Sequence, residues 1–213
     1  KIDSSIEFFS SKIAISSLLT RIIEVSSLKK LSKQINLESS SEIRVQSTIF
    51  FSSGANEKVS ASEEKNIPIL YISTAGIFDG TKDTFDDWDL PNPLGHYARS
   101  KYAGERFVEQ NSYRYLICRA GWMMGSGPKK DKKFIQKIMK QIKLGKKELF
   151  IVDDKLGTPT YTDDFANNVK LLLEKEFWGL YNMVCGGFTG RSEVAKELLA
   201  LLNLENKVKI ILV

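Results

Sequence analysis

The chain has 213 residues, of which 42% are apolar and 27% are charged, a composition typical of an ordinary soluble globular protein. No run of about 18 apolar residues occurs, which excludes a membrane-spanning helix, and we expect no secretory signal and a cytoplasmic location. The net charge of +5 arises locally, because residues 129–147 contain nine lysines and one acid. This segment lacks arginine and is poor in aromatic residues, which argues against a nucleic-acid-binding surface. It favours a solvated helix face, with a basic wall facing a diphosphate as the alternative.

The first 66 residues differ in composition from the rest of the chain. They hold 17 of the 22 serines, one of the 14 glycines and no proline. Ile49, Phe50 and Phe51 precede small residues and indicate a strand that runs into a loop. The segment before them shows no assignable pattern. We therefore predict an atypical, Ser-rich segment at residues 1–66 that is distinct from residues 67–213.

From residue 67 onwards, strand and helix patterns alternate. Continuous apolar runs are typical of parallel strands that are covered on both faces, and apolar residues at helical spacing predict the helices between them. The predicted strands are 69–72, 115–118, 149–152, 180–184 and 207–213. The predicted helices are about 94–110, 134–142, one from 162, and one from 189 or 192 to 202. This alternation predicts an α/β protein.

The most informative chemical pattern is Tyr97 followed four residues later by Lys101, within a predicted helix. Residues four apart lie on one helix face, and an ammonium beside a phenol favours the phenolate, so we expect the pKa of Tyr97 to fall towards neutrality. Such a phenol can exchange a proton with a carbonyl/alcohol pair. Thr74, at the end of a predicted strand, could hold the same oxygen. On spacing alone, an amphipathic helix with an exposed Lys101 is the simpler interpretation. The surrounding motifs favour the catalytic interpretation instead.

Four motifs follow one another along the core. They are 71–80 (YISTAGIFDG), 91–105 (PNPLGHYARSKYAGE), 119–125 (RAGWMMG) and 157–160 (GTPT). Together they resemble the extended short-chain dehydrogenase/reductase superfamily, most closely its dTDP-4-dehydrorhamnose reductase (RmlD-like) sugar-nucleotide-binding family. The resemblance covers residues 67–213 and implies that they form the catalytic core with part of the substrate-binding lobe. It makes residues 1–66 an atypical N-terminal part of the nucleotide-binding domain. It implies a Rossmann-like, doubly wound parallel sheet with a small C-terminal substrate-binding lobe.

The resemblance assigns catalytic and cofactor-binding roles to four residues. Thr74 matches the hydroxyl that holds the substrate oxygen, and Tyr97 matches the acid that protonates the carbonyl. Lys101 matches the residue that lowers the tyrosine pKa and binds the nicotinamide ribose. Ser73 joins Tyr97 and Lys101 as a cofactor-binding position.

Two further residues match substrate-binding positions of the family. Trp122 lies where the family packs an aromatic side chain near the substrate, although a core aromatic at a strand end is an equal alternative. Thr160 lies in a loop that lines the substrate cleft, although turn and cap chemistry is a somewhat better explanation for Thr158 and Thr160. Arg119 is either a buried ion-pair partner or a substrate contact, and the sequence leaves both open.

The chain also departs from the family pattern. Ala75 stands where the family usually has an acid, which argues against related dehydratases, and Gly76 stands where an aromatic residue is frequent. A Gly-x-x-Gly-x-x-Gly turn normally approaches the cofactor pyrophosphate, but Gly54 is the one glycine among residues 1–66. The chain stops at Val213, where the family normally continues, so we expect a truncated substrate lobe.

These observations predict an NAD(P)H-dependent reductase of a nucleotide-activated keto sugar, with NADP(H) favoured over NAD(H). The resemblance thus implies a Rossmann-type oxidoreductase that acts on a nucleotide-sugar in dTDP-rhamnose biosynthesis. One alternative is a non-catalytic sugar-nucleotide-binding or regulatory protein on the same fold, which the missing glycine turn favours. Another is a sugar-nucleotide epimerase that retains NAD. The expected partner is a nucleotide-sugar, without nucleic acid or membrane, and a homodimer is left open.

We predict no metal site. The acids Asp86, Asp87 and Asp89 share one loop, and although their spacing suits a hard cation, a solvated acidic loop is far more common. His96, the single histidine, neighbours Tyr97 but lies off its helix face. A surface or capping role is its favoured interpretation, with a proton relay as the alternative.

Overall fold

The computed structural model describes residues 44–46, 59–60, 62–125 and 133–213. The strand predicted at 49–51 and lysines 129–132 of the basic segment lie outside these residues. No helix among the described residues has the length and apolarity needed to cross a membrane.

The described residues form strands and helices with the following bounds. The strands are β1 Arg44–Gln46, β2 Ile69–Thr74, β3 Tyr115–Ala120, β4 Trp122–Met124, β5 Glu148–Ile151, β6 Leu156–Gly157, β7 Pro159–Tyr161, β8 Gly179–Met183, β9 Thr189–Gly190 and β10 Lys209–Leu212. The helices are α1 His96–Asn111, α2 Phe134–Lys143, α3 Thr162–Glu174 and α4 Arg191–Leu201, and a 3₁₀ turn at Ala75–Ile77 follows β2.

The chain divides into two compact units. The four-stranded unit comprises the described residues of Asn36–Gly121 together with Phe165–Val184. The small-sheet unit comprises the described residues of Trp122–Asp164 together with Cys185–Val213. The segment 67–213, predicted as a catalytic core with part of a substrate-binding lobe, contributes residues to both units.

The four-stranded unit is built on a parallel sheet in the order β1-β2-β3-β8. The apolar run of β3 is almost fully buried and that of β2 is buried or partly buried, as expected for strands covered on both faces. Helix α1 contributes Val108 to a core cluster with Tyr71 and Ile117. The register places Ser73 opposite Arg119, and Arg119 opposite Asn182, in one row near the carboxyl ends of β2, β3 and β8.

The small-sheet unit contains three two-stranded sheets. The pairs β5–β10 and β4–β7 are parallel, and β6–β9 is antiparallel. Its core joins α2 and α4 to these strands through Ile138, Leu149, Tyr161 and Leu198. The described lysines of the basic segment are exposed and lie on α2 or next to its ends, as the solvated-face interpretation predicts; they are Lys133, Lys137, Lys140, Lys143, Lys146 and Lys147.

The predicted α/β class with a parallel sheet is confirmed. The strands and helices predicted from residue 67 onwards are present, with ends that differ by a few residues. Strand β1 and the two- or three-residue strands β4, β6, β7 and β9 were not predicted. Segments this short carry no readable alternation, and their pairing depends on residues distant in sequence.

Candidate active site

Thr74 ends β2 at the carboxyl edge of the four-stranded sheet. Its Oγ1 accepts a hydrogen bond of 3.1 Å from the Gly76 backbone N–H and thereby caps the 3₁₀ turn. A hydroxyl has one donor hydrogen and two acceptor lone pairs, so this contact leaves the Thr74 proton available for another acceptor. A Cβ added at Gly76 would lie 3.4 Å from Thr74 Oγ1. The absence of a side chain at Gly76 therefore leaves the Thr74 hydroxyl accessible.

Tyr97 is the second residue of α1 and is 65% exposed. Residues Pro91 and Pro93 precede the helix, and Gly95 is its N-cap, with the Gly95 carbonyl accepting from the Arg99 N–H at 2.9 Å. Prolines disfavour helical conformation in the residue before them, so the helix begins only after this segment. The preceding sequence therefore fixes where the helix begins, and Tyr97 lies in its first turn. His96 is the first residue of α1 and is exposed.

Lys101 lies one turn after Tyr97 and is partly buried against β2. Its Nζ donates to the Ile72 carbonyl at 2.9 Å and lies 5.2 Å from the centroid of the Tyr71 ring. Burial lowers the pKa of Lys101, and the Glu105 carboxylate opposes this by raising it. The ammonium is thus held two residues before Thr74 along the same strand.

Tyr71, on β2, contacts Lys101 and helps to hold it in this position. It is fully buried, and its hydroxyl donates to the Lys101 carbonyl at 3.2 Å. Burial, followed by the charges of Glu105 and Tyr97, raises the pKa of Tyr71 to about 12. Tyr71 therefore remains a neutral donor near pH 7. A Cβ added at Gly104 would lie 2.2 Å from its hydroxyl oxygen, so Gly104 permits the close approach of α1 to β2.

Glu105 and Arg119 form a buried ion pair between α1 and β3. Glu105 is fully buried and Arg119 is 3% exposed. Arg119 Nη2 donates to Glu105 Oε2 at 2.8 Å, and Nε donates to both carboxylate oxygens at 3.1 and 3.2 Å. Of the two alternatives for Arg119, the structure shows the buried ion pair.

An acidic loop connects the 3₁₀ turn to α1 and is closed by its own side chains. Asp79 accepts hydrogen bonds from Thr81 and, at 2.9 Å, from Asn92 Nδ2, which joins the two ends of the loop. Phe78 stacks on Phe85 with ring centroids 4.5 Å apart. These contacts join the start of the loop to the segment that lies just before α1.

The three carboxylates considered as metal ligands in the sequence are bound by groups of this loop and of β8. Asp87 accepts from the Asn182 N–H of β8, Asp89 pairs with Lys82, and Asp86 accepts from the Trp88 N–H at 2.9 Å. Among the residues that the structure describes, no group of three or more His, Cys, Asp or Glu side chains is arranged to hold a metal ion.

Trp122 and Thr160 belong to the small-sheet unit, on the adjacent strands β4 and β7. Trp122 is half-buried, its backbone N–H donates to the Thr158 carbonyl at 2.8 Å, and the Arg191 guanidinium lies 5.6 Å from its ring centroid. Thr160 is 3% exposed, and its hydroxyl donates to the Thr158 carbonyl at 3.3 Å. Gly157 admits the indole, because a Cβ there would lie 2.1 Å from Trp122 Cε2.

The structure thus places Ser73, Thr74, Tyr97 and Lys101 in one unit, on β2 and the first half of α1. Ser73 is 4% exposed, and strand alternation places it on the face of Tyr71, towards α1. Sequence reasoning missed the supporting residues Tyr71 and Glu105. Spacing gave a signal for each, since Tyr71 lies two residues before Ser73 on a strand and Glu105 lies four after Lys101 on a helix.

The fold and this arrangement define an α/β protein of Rossmann type, with a hydroxyl at a strand end and a Tyr-x-x-x-Lys helix beside it. The family model described as RmlD substrate binding domain matches residues 42–211. The chain therefore belongs to the RmlD substrate binding domain family.

Individual relatives agree with this assignment. The chain is 30% identical over 135 residues to dTDP-4-dehydrorhamnose reductase of Salmonella typhimurium, covering 61% of this chain and 44% of the relative. It is similar to the crystal structure of dTDP-4-dehydrorhamnose reductase from Bacillus anthracis in complex with NADP, with a TM-score of 0.69, 30% identity and coverage of 75% and 55%. It is also 28% identical over 107 residues to methionine adenosyltransferase 2 subunit beta of Danio rerio, covering 50% and 33%. The chain spans about half or less of the length of these proteins.

Proposed function

We propose that this chain carries the proton-transfer machinery of an NAD(P)H-dependent reductase that acts on a nucleotide-activated keto sugar. The observation that carries the proposal is the exposed Tyr97 one helical turn before Lys101, whose ammonium is held on the strand that ends in Thr74. The reductase names of the Salmonella and Bacillus relatives support a substrate like dTDP-4-dehydrorhamnose.

The donor set suits the nicotinamide-ribose end of a dinucleotide. Lys101 and the Tyr97 phenol supply donors to ribose hydroxyls beside the carboxyl edge of a parallel sheet, where such ligands bind. Ser73 remains a predicted cofactor contact, although its buried position on the α1 face is unlike theirs. When bound, NAD(P)H would supply hydride to the carbonyl carbon of the sugar.

The residues of this chain would manage the carbonyl oxygen. Thr74, oriented by its contact with Gly76, donates a hydrogen bond from its hydroxyl to that oxygen and keeps its proton. Tyr97 transfers its phenolic proton to the oxygen as the carbonyl becomes an alcohol. The Lys101 ammonium stabilises the phenolate that remains, and Tyr71 stays protonated and does not compete as the acid.

Replacing Tyr97 tests this role. Tyr97→Phe removes the proton but keeps the ring, so we expect NADPH and sugar-nucleotide binding to persist while kcat for reduction falls about 10²–10⁴-fold, the usual contribution of general acid catalysis. Tyr113→Phe is the matched control, because Tyr113 is 92% exposed and lies beyond the far end of α1. Turnover like wild type in Tyr97→Phe would exclude Tyr97 as the acid.

The second candidate is a non-catalytic subunit on the same fold. It is favoured by the single glycine among residues 1–66 and by the likeness to the Danio rerio subunit beta. Calorimetric titration of the purified chain with NADPH and then NADH distinguishes the two. Micromolar binding of either supports the reductase, whereas no binding by a folded chain supports the non-catalytic alternative.

A further inference from the structure

We propose that the buried Glu105–Arg119 pair is the positioning element for Lys101 and, through Lys101, for Tyr97. The inference rests on the proposed function, in which Lys101 supports the acid Tyr97. Neither Glu105 nor Arg119 touches a reacting atom in this scheme, and both act through the placement of another residue.

One face of α1 leads from the surface into the core. Tyr97, Lys101 and Glu105 are spaced four apart, which places them on the same side of the helix. Their burial increases along this series, from an exposed Tyr97 through a partly buried Lys101 to a fully buried Glu105. The buried end of the series is the point at which the helix is joined to the sheet.

The junction fixes α1 to two strands at once. Arg119 binds both oxygens of Glu105 with Nε and Nη2, so the pair has a defined orientation as well as a distance. One turn earlier, Lys101 is joined to β2 by its Nζ contact with Ile72 and by the Tyr71 hydroxyl. A slip or rotation of α1 that moved Tyr97 would have to break contacts to both β2 and β3.

A buried ion pair is a weak stabiliser, because the cost of removing two charges from water offsets much of their attraction. Stability alone therefore does not account for these two residues in the core. Arg119 also lies in a row of buried polar groups whose hydrogen bonding is incomplete, which adds no stability either. Among the described residues, the buried side-chain polar atoms without a hydrogen-bond partner are Ser73 Oγ, Arg119 Nη1 and the Asn182 amide atoms. All three residues lie in the one register row that crosses the sheet at Arg119.

The pair also determines the charge next to Lys101. Among the described residues, the titratable and charged groups near this junction include Glu105 and Tyr97 on α1, Tyr71 on β2, and Arg119 on β3 through its contact with Glu105. Of these, the Glu105 carboxylate is the group that raises the pKa of Lys101 against the effect of burial. Glu105 thus both places Lys101 and favours its protonated state.

The test separates positioning from stability. In Glu105→Leu/Arg119→Met, two apolar side chains of similar length replace the pair, an exchange that often leaves stability unchanged or improved. The titration of Lys101 is followed by NMR of lysine labelled with ¹³C at Cε, with its resonance assigned by its loss in Lys101→Arg. We expect the double variant to melt near the wild-type temperature while the Lys101 midpoint moves to lower pH. Glu109→Gln is the matched control, because Glu109 forms an exposed i,i+3 pair with Arg106 on the same helix.

If the double variant does not fold, Glu105→Gln measured at low temperature gives the same readout, since the amide keeps an acceptor for Arg119. An unchanged Lys101 midpoint in either folded variant, or a lowered midpoint in Glu109→Gln as well, overturns the proposal. The measurement needs neither cofactor nor substrate. A lowered midpoint in a chain without reductase activity would therefore refute the proposed function and leave this inference intact.

Discussion

The sequence predicts ligand contacts in two regions, one around Thr74 and Tyr97 and one around Trp122 and Thr160. The two regions differ in whether their polar groups are already hydrogen-bonded within the protein. Around Thr74 and Tyr97, the reactive groups lie at a strand end and on the exposed first turn of a helix, and the buried residues beneath them supply the support. Around Trp122 and Thr160, the hydroxyl is buried and bound to the Thr158 carbonyl, and the indole is enclosed by Gly157 and Arg191. The predicted site around Thr74 and Tyr97 therefore has hydroxyl groups available to a ligand. The polar groups around Trp122 and Thr160 instead bind mainly to groups of their own turn.

The sharpest way to test this difference is to remove the Thr74 hydroxyl. Thr74→Val keeps the side-chain shape but loses the donor to the substrate oxygen, so we expect kcat for the proposed reduction to fall about 10²–10³-fold, as for loss of one oxyanion donor. Thr74→Ser keeps the hydroxyl and should retain most activity. Steady-state kinetics of both variants, with NADPH binding measured in parallel, checks the result. Equal activity of the Val and Ser variants would remove Thr74 from the mechanism.

The next largest effect is expected on stability, when a methyl group is added at the close contact between α1 and β2. Gly104→Ala places a Cβ 2.2 Å from the Tyr71 hydroxyl, and overpacking of this kind costs about 1–3 kcal/mol, from which the better helix propensity of alanine recovers up to about 1 kcal/mol. We expect a net loss of unfolding free energy in urea.

Gly76→Ala is the control for that substitution, because the added Cβ meets Thr74 Oγ1 at 3.4 Å, an ordinary contact. Its unfolding midpoint should stay close to wild type. If Gly104→Ala were as stable as Gly76→Ala, Tyr71 would not be fixed in the position described, and its support of Lys101 would be in doubt.

A smaller effect is expected in the Trp122–Thr160 region. Thr160→Val removes a buried hydroxyl together with its bond to the Thr158 carbonyl, and the net loss for one such hydrogen bond is about 1 kcal/mol. Because Thr160 is 3% exposed, we expect KM for the nucleotide-sugar to remain unchanged. A raised KM without a loss of stability would instead support the predicted contact between Thr160 and substrate.

The comparison also explains which features could be predicted from sequence. The strand of Ile69–Thr74 and the helix carrying Tyr97 were predictable because long apolar runs and a proline-bounded helix start are local signals. The roles of Thr74, Tyr97 and Lys101 were inferred from the Tyr97–Lys101 spacing and from a resemblance, and they stay predictions until activity is measured.

What escaped prediction depends on contacts between residues distant in sequence. Arg119 could be assigned to the core only once Glu105, fourteen residues earlier, was seen to bind it. Likewise, the burial of Thr160 follows from the pairing of β4 with β7, which brings together segments more than thirty residues apart. A three-residue strand carries too little pattern to reveal such a pairing in advance.

The acidic loop before α1 offers the smallest and most local test. Hydrogen bonds from Asn92 and then Thr81 hold the pKa of Asp79 below its ordinary value of 3.8. A depressed folded-state pKa means that the stabilisation is complete above the unfolded value and is lost as the pH falls through the folded one. We therefore expect the Thr81 amide to lose hydrogen-exchange protection as the pH is lowered below 3.8, after correction for the intrinsic exchange rate. Asp79→Asn should abolish this transition, whereas Asp83→Asn, at an exposed position of the same loop, should preserve it. If the Asp83 variant lost the transition too, the loop would be closed by its overall charge, and the Asp79–Asn92 contact would not be what fixes the start of the Tyr97 helix.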